Sequence, residues 1–139
     1  RAGRLDAALA RNGAVLEASP DEPLVHKRQA EILSLRGDHA AALRQMESCR
    51  ACAPDHAFWH FLTGHFHRAA GDPGAARAAM ERAAAMDDST AELHAILADL
   101  CREMGDEAAA AAALDRAAEI APNQQRFRNR RARLMRDSA

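Results

Sequence analysis

The sequence predicts an all-α protein, a solenoid of stacked helical hairpins, and three observations carry that prediction. Thirty-six of the 139 residues are Ala, the strongest helix former, while Val, Ile and Thr are scarce. Glycines fall at Gly3, Gly37, Gly71 and Gly105, each 34 residues after the last. Prolines keep the same step at Pro20, Pro54 and Pro122, with Asp88 where the series places another. A fixed period of this length marks a repeat architecture, in which each unit buries its apolar face only by stacking on its neighbours.

Each marker assigns local structure. Asp21, Asp55, Ser89 and Asn123 follow the Pro/Asp series and are expected to cap a starting helix by accepting from its orphan amides. The glycines suit the left-handed turn that ends that helix. Asp38, Asp72 and Asp106 can cap a second helix, with Pro73 in a first turn, where a missing N–H costs least. Full units then run over 23–56, 57–90 and 91–124. Residues 1–22 enter mid-unit and supply a second helix only. Residues 125–139 supply a first helix only, either a basic cap or the start of a further repeat. Eight antiparallel helices are expected, and from the half-units at both edges either a piece of a longer protein or a chain with disordered or removed flanks is expected.

The markers, with Ala30, Gly64 and Ala98 early in the first helices and Ala42, Ala76 and Ala110 in the second, resemble the tetratricopeptide repeat family, particularly its bacterial members. The segments TGHFHRAAGD and EIAPN are similar to family segments, and the resemblance covers nearly the whole chain. His26, His60 and His94 stand where the family usually has an early Trp. The resemblance implies a right-handed superhelix whose first helices line a concave, peptide-binding groove. Carried onto this chain, that groove includes Lys27, Glu31, Phe58, Phe61, His65, Arg68, Asp99 and Arg102. It is not the carboxylate clamp of some relatives: Lys27 matches one basic place, but Glu31, Leu62, Glu92 and Ile96 occupy the others.

Helical spacing sorts the first helices into faces. Val25, Ile32 and Leu33, then Trp59, Leu62 and Phe66, then Leu93, Leu97 and Leu100, then Phe127, Leu134 and Met135 recur as a core stripe. The segment HAFWHFLTGHFHR holds four of the seven histidines and four of the five aromatics. Its Trp59 and Phe66 belong to the stripe, which leaves Phe58 and Phe61 either as apolar surface suited to anchoring a partner or as residues that the curve of the superhelix covers. Arg68 and Arg102, helped by Lys27, would hold acidic groups.

Cys49, Cys52, His56 and His60 read C-x2-C-x3-H-x3-H, but lack the long middle segment of a zinc finger. Packing explains each of them, so neither metal nor cofactor is expected. The odd number of cysteines makes no disulfide framework and points to a reducing, cytoplasmic compartment. No catalytic signature occurs, so the protein is read as non-enzymatic, a scaffold that binds a protein or peptide. Two alternatives remain open: an appendage that targets or regulates a fused enzyme domain, and an adaptor using its C-terminal helix. The net charge of −1 hides six arginines in that helix, Arg126, Arg128, Arg130, Arg131, Arg133 and Arg136, which could grip nucleic acid or anionic lipid. Open solenoid ends also suit self-association.

Overall fold

The computed structural model describes residues 1–139. Eight helices follow one another: α1 (Ala2–Ala18), α2 (Pro23–Arg36), α3 (His39–Cys52), α4 (Ala57–Ala69), α5 (Pro73–Met86), α6 (Ala91–Glu103), α7 (Glu107–Ile120) and α8 (Gln125–Asp137). The closest pairings are α2 with α3, α4 with α5 and α6 with α7, the hairpins of units 23–56, 57–90 and 91–124. No helix is long and apolar enough to cross a membrane.

The turns explain the period. Gly37, Gly71 and Gly105 have φ of 93°, 79° and 78°, a left-handed conformation that side chains resist. Gly3 breaks the series, because it lies inside α1 and makes no such turn. Asp72 and Asp106 cap α5 and α7, their carboxylates accepting from the amides of Ala75 and Ala109. Asp38 holds the equivalent place at α3 without a side-chain cap bond.

The first helices start one residue later than the polar series suggests. Their N-caps are Glu22, His56, Thr90 and Gln124, rather than Asp21, Asp55, Ser89 and Asn123. Competing bonds are the reason at two turns. Asp55 accepts from His60 Nε2 at 2.7 Å, and Ser89 donates to Asp87 at 2.6 Å. His56 takes over as the cap of α4, its Nδ1 accepting from the Phe58 amide.

Stacking builds four apolar clusters rather than one central core, as a linear array must. One joins Ala30, Ala42, Met46 and Cys49 to Phe66 of the next unit. Another joins Ala76, Met80 and Ala83 to Leu93, Ile96, Leu97 and Leu100. Gly64 lets α5 approach α4 closely, since an added Cβ there would lie 2.8 Å from Met80 Cε. The expected stripe is largely core, with one correction: Met135 is 48% exposed.

The row of histidines is structural. His26, His60 and His94 are all buried, and each reaches back across the turn before its helix. His26 donates to the Pro20 carbonyl at 2.6 Å, His60 to Asp55 and His94 to Asp88. Burying an imidazole demands such a partner. The repeating histidine therefore ties each first helix to the turn that precedes it.

Candidate functional site

The N-terminal half of α4 carries Phe58 and Phe61 three residues apart, so both reach the same side of the helix. Opposite them, the end of α5 supplies Ala83, the α5–α6 turn supplies Asp87 and Thr90, and α6 supplies Leu93. Together with His56 and Ala57 these residues enclose a cleft of about 260 Å³ between successive units. Phe58 is 42% exposed at its mouth. Of the two readings open for Phe61, partial cover is the one found: it leans on the cluster of Met80, Leu93 and Leu97 and is half-buried. The Phe58 ring also lies 5.3 Å from that of Trp59, beside an open apolar hollow that includes Leu24 and Pro54.

His65 stands edge-on to Phe61, with ring centroids 4.6 Å apart. Desolvation there, reinforced by repulsion from Arg68, lowers the His65 pKa below the usual imidazole range. That shift favours the neutral ring. The site combines an apolar cleft with a polar rim of His56, Asp87 and Thr90, a surface suited to an apolar side chain flanked by polar groups.

The charged candidates do not gather at this cleft. Lys27 pairs with Glu31 within α2 at 2.7 Å, and Arg68 pairs with Glu103 of the next unit at 2.8 Å. Asp99 is held by Arg130 of α8. Arg102 alone among the three groove cations has no carboxylate partner. It borders a second cavity of about 210 Å³, together with Asp99, Arg130 and Arg133, over a floor of Ala98, Ala110, Leu114 and Leu134.

The C-terminal helix is more tightly meshed than its composition suggests. Phe127 and Leu134 are buried, and three of the six arginines are spent on neighbouring helices. Arg126 bonds Glu92, Arg130 bonds Asp99 and the Ala95 carbonyl, and Arg131 makes two bonds to Asp115. Arg128, Arg133 and Arg136 are left without a carboxylate. Spacing could have revealed two of the pairs. Arg126–Glu92 and Arg130–Asp99 are separated by 34 and 31 residues, about one repeat, so they face each other on successive first helices.

Cys49, Cys52, His56 and His60 do not converge. Cys49 donates to the Pro23 carbonyl at 3.2 Å, while His56 caps α4 and His60 bonds Asp55. No group of three or more His, Cys, Asp or Glu side chains is placed to hold a metal ion. Burial raises the pKa of the Cys49 and Cys101 thiols, which disfavours the reactive thiolate.

Comparison with known proteins gives the fold its family. Residues 61–124 match the family model described as tetratricopeptide repeat. No curated protein matches the sequence. Among solved structures, MamA is 21% identical, with a TM-score of 0.77 over 90% of this chain and 73% of its own. A thermophilic TPR protein of Thermus thermophilus, TTC0263, is 24% identical, with a TM-score of 0.76 over 96% of this chain and 74% of its own. The first TPR of Spaghetti (RPAP3), solved bound to the HSP90 peptide SRMEEVD, is 14% identical, with a TM-score of 0.71 over 84% of this chain and 94% of its own. Identities this low establish likeness of fold alone. With the family match over 61–124 and the same hairpin repeated before it and half-repeated after it, the chain has the fold of tetratricopeptide repeat proteins, and residues 61–124 match that family.

Proposed function

We propose that the chain is a non-catalytic interaction module that takes a peptide or partner helix on the surface lined by its first helices. Phe58 and Phe61 supply the apolar anchorage. The observation that carries this reading is the cleft of about 260 Å³ walled by Phe58, Phe61 and Leu93, with His56, Asp87 and Thr90 as its polar lining. Apolar pockets of this kind, filled by one buried side chain, dominate the energetics of protein interfaces. The RPAP3 domain bound to its peptide gives a precedent for the fold.

The charged groove residues play a secondary part. Lys27–Glu31 and Arg68–Glu103 are solvent-exposed pairs, and such pairs contribute only about 0–1 kcal/mol. A partner's acidic group can therefore displace Glu103 from Arg68 at little cost, or take Arg102 directly. A partner contact at Glu31 or Asp99 would compete with Lys27 or Arg130. Binding of nucleic acid or anionic lipid through the C-terminal helix is the weaker reading, because half of its arginines already serve the fold.

Selection of peptides from a displayed library on the intact chain tests the proposal. Recovered peptides should share a bulky apolar residue. Their affinity should fall roughly 30-fold or more on the Phe58→Ala/Phe61→Ala chain, the loss of one or two anchoring contacts. Phe58→Ala alone keeps the core contact of Phe61 and guards against loss of fold. Peptides that bind wild type and both variants equally would remove the cleft from consideration.

A further inference from the structure

We infer that Asp87 sets a charge requirement at the cleft between α4 and α6: the partner segment carries a Lys or Arg within two residues of its apolar anchor. The inference rests on the cleft being the docking site, and adds the chemistry of what docks there. The cleft is interior to the array, with α1 to α3 before it and α7 and α8 after it. The repeat separates side chains that serve the stack from those that do not. A residue needed by every hairpin recurs at a step of 34, as Ala42, Ala76 and Ala110 do. The cleft departs from that step at three places. Phe58 has Leu24, Glu92 and Arg126 as counterparts, and Phe61 has Lys27, Ala95 and Asn129. Asp87 stands where the other turns have Ser19, Ala53 and Ala121. Two phenyl rings and a carboxylate that stacking does not require thus line one cavity.

Asp87 also serves its own turn, but one oxygen does that work. Its Oδ1 accepts from the Ser89 hydroxyl at 2.6 Å and from the Ser89 amide at 3.0 Å. Oδ2 accepts no bond within the chain, and Asp87 enters no ion pair. The neighbouring carboxylates are engaged, Asp55 by His60 and Asp88 by His94 and Arg116. The bonds from Ser89, hydroxyl first and then amide, hold the Asp87 carboxyl below the usual carboxylate range, so it is ionised at pH 7. The turn asks only for an acceptor, which an Asn would supply as well. The negative charge is left over. An exposed carboxylate, oriented by its turn and carrying a free oxygen, takes a charge-assisted bond from a cation.

Position fixes where the cation stands in the partner. Anchor and cation share one cleft, and two extended residues already span about 7 Å, so the base lies within two residues of the anchor. An acidic residue at that place would meet Asp87 as a like charge, which opposes association. Acidic groups suit Arg68 instead, ten residues after Phe58 and about 15 Å along α4. The anchor's own flank is therefore basic.

The test selects peptides from a displayed library with a fixed central Phe and random flanks, in parallel on the intact chain, Asp87→Asn and Asp87→Lys. Asp87→Asn keeps an oxygen for Ser89 and loses only the charge, so its thermal unfolding should match wild type. Wild type should recover Lys or Arg within two residues of the Phe, Asp87→Asn should show no preference of charge, and Asp87→Lys should recover Asp or Glu. By fluorescence anisotropy, a peptide recovered on wild type should bind Asp87→Asn roughly fivefold more weakly, the loss of one exposed ion pair. The same peptide with Gln in place of its base should bind the two chains equally. The same flanking charge recovered on all three chains, or acidic flanks on wild type, would overturn the inference and leave the cleft in place. Peptides that bind wild type and the Phe58→Ala/Phe61→Ala chain equally would remove the cleft and the inference together.

Discussion

Helices α2 and α6 hold the same place in units 23–56 and 91–124, yet they live in different surroundings. Eight residues of α6 are buried, Leu93 to Ala98 together with Leu100 and Cys101, while α2 buries only His26 and Ala30. Position by position, Ala95, Ile96 and Leu97 of α6 correspond to Lys27, Arg28 and Gln29 of α2. The polar substitutions track the neighbour on the N-terminal side. Helix α5 meets α6 with Ala76, Met80 and Ala83, an apolar surface. Helix α1 meets α2 with Asn12, which is 6% exposed and donates to the Val25 carbonyl at 3.1 Å and to Gln29 at 2.8 Å. One junction is held by burial of apolar area, and the other by a small hydrogen-bonded contact. In a linear array, stability is set junction by junction, so the α1–α2 end should open before the α5–α6–α7 block.

The largest expected effect comes from truncating equivalent residues at the two junctions. Leu100 is fully buried and Ile32, its counterpart, is half-buried. Leu100→Ala should cost about 2–5 kcal/mol by chemical denaturation, and Ile32→Ala about half as much. Equal losses would erase the distinction between the junctions. At the polar junction, Asn12→Ala leaves the Gln29 side chain and the Val25 carbonyl short of a donor and should cost about 1–3 kcal/mol. Asn12→Met restores the residue type found at Met46 and Met80. Combined with Gln29→Leu, it should recover that loss or improve on wild type. Hydrogen exchange should then show the α2 amides slowing toward the rates of α6.

A smaller effect is expected from acid. Hydrogen bonds from Arg116 and then from His94 hold the Asp88 carboxyl below the usual carboxylate range. A depressed Asp stabilises the fold above its unfolded value of about 3.9, and that contribution disappears as pH falls through the folded pKa. Asp88→Asn should therefore lower stability at pH 7 slightly and flatten its decline as pH falls below about 4, where wild type begins to shed this contribution. Parallel pH profiles of the two proteins would show that Asp88 takes no part.

The period made the architecture legible. Once glycines recur every 34 residues, the turns at Gly37, Gly71 and Gly105 and the hairpin units follow, and so do the small packing residues Gly64 and Ala98. The pairing of Phe58 with Phe61 was legible from their spacing. Less so was the depth of Phe61, because the curvature that brings Leu93 and Leu97 against it belongs to the stacking of units. Two helix starts were displaced because Asp55 is claimed by the buried His60 and Ser89 by Asp87, a competition between side chains that capping preferences do not include. The arginines of α8 read as a solvated run until the neighbouring helix placed Glu92, Asp99 and Asp115 opposite them.

The central claim is that partners enter at the cleft between α4 and α6. A titration of the isotopically labelled chain with a library-selected peptide, followed by amide NMR shifts, tests it most directly. The expected result is a contiguous set of perturbations at Phe58, Phe61, Thr90 and Leu93, absent from the Phe58→Ala/Phe61→Ala chain. Perturbations confined to α1 or α8, with the cleft residues unmoved at saturation, would contradict it.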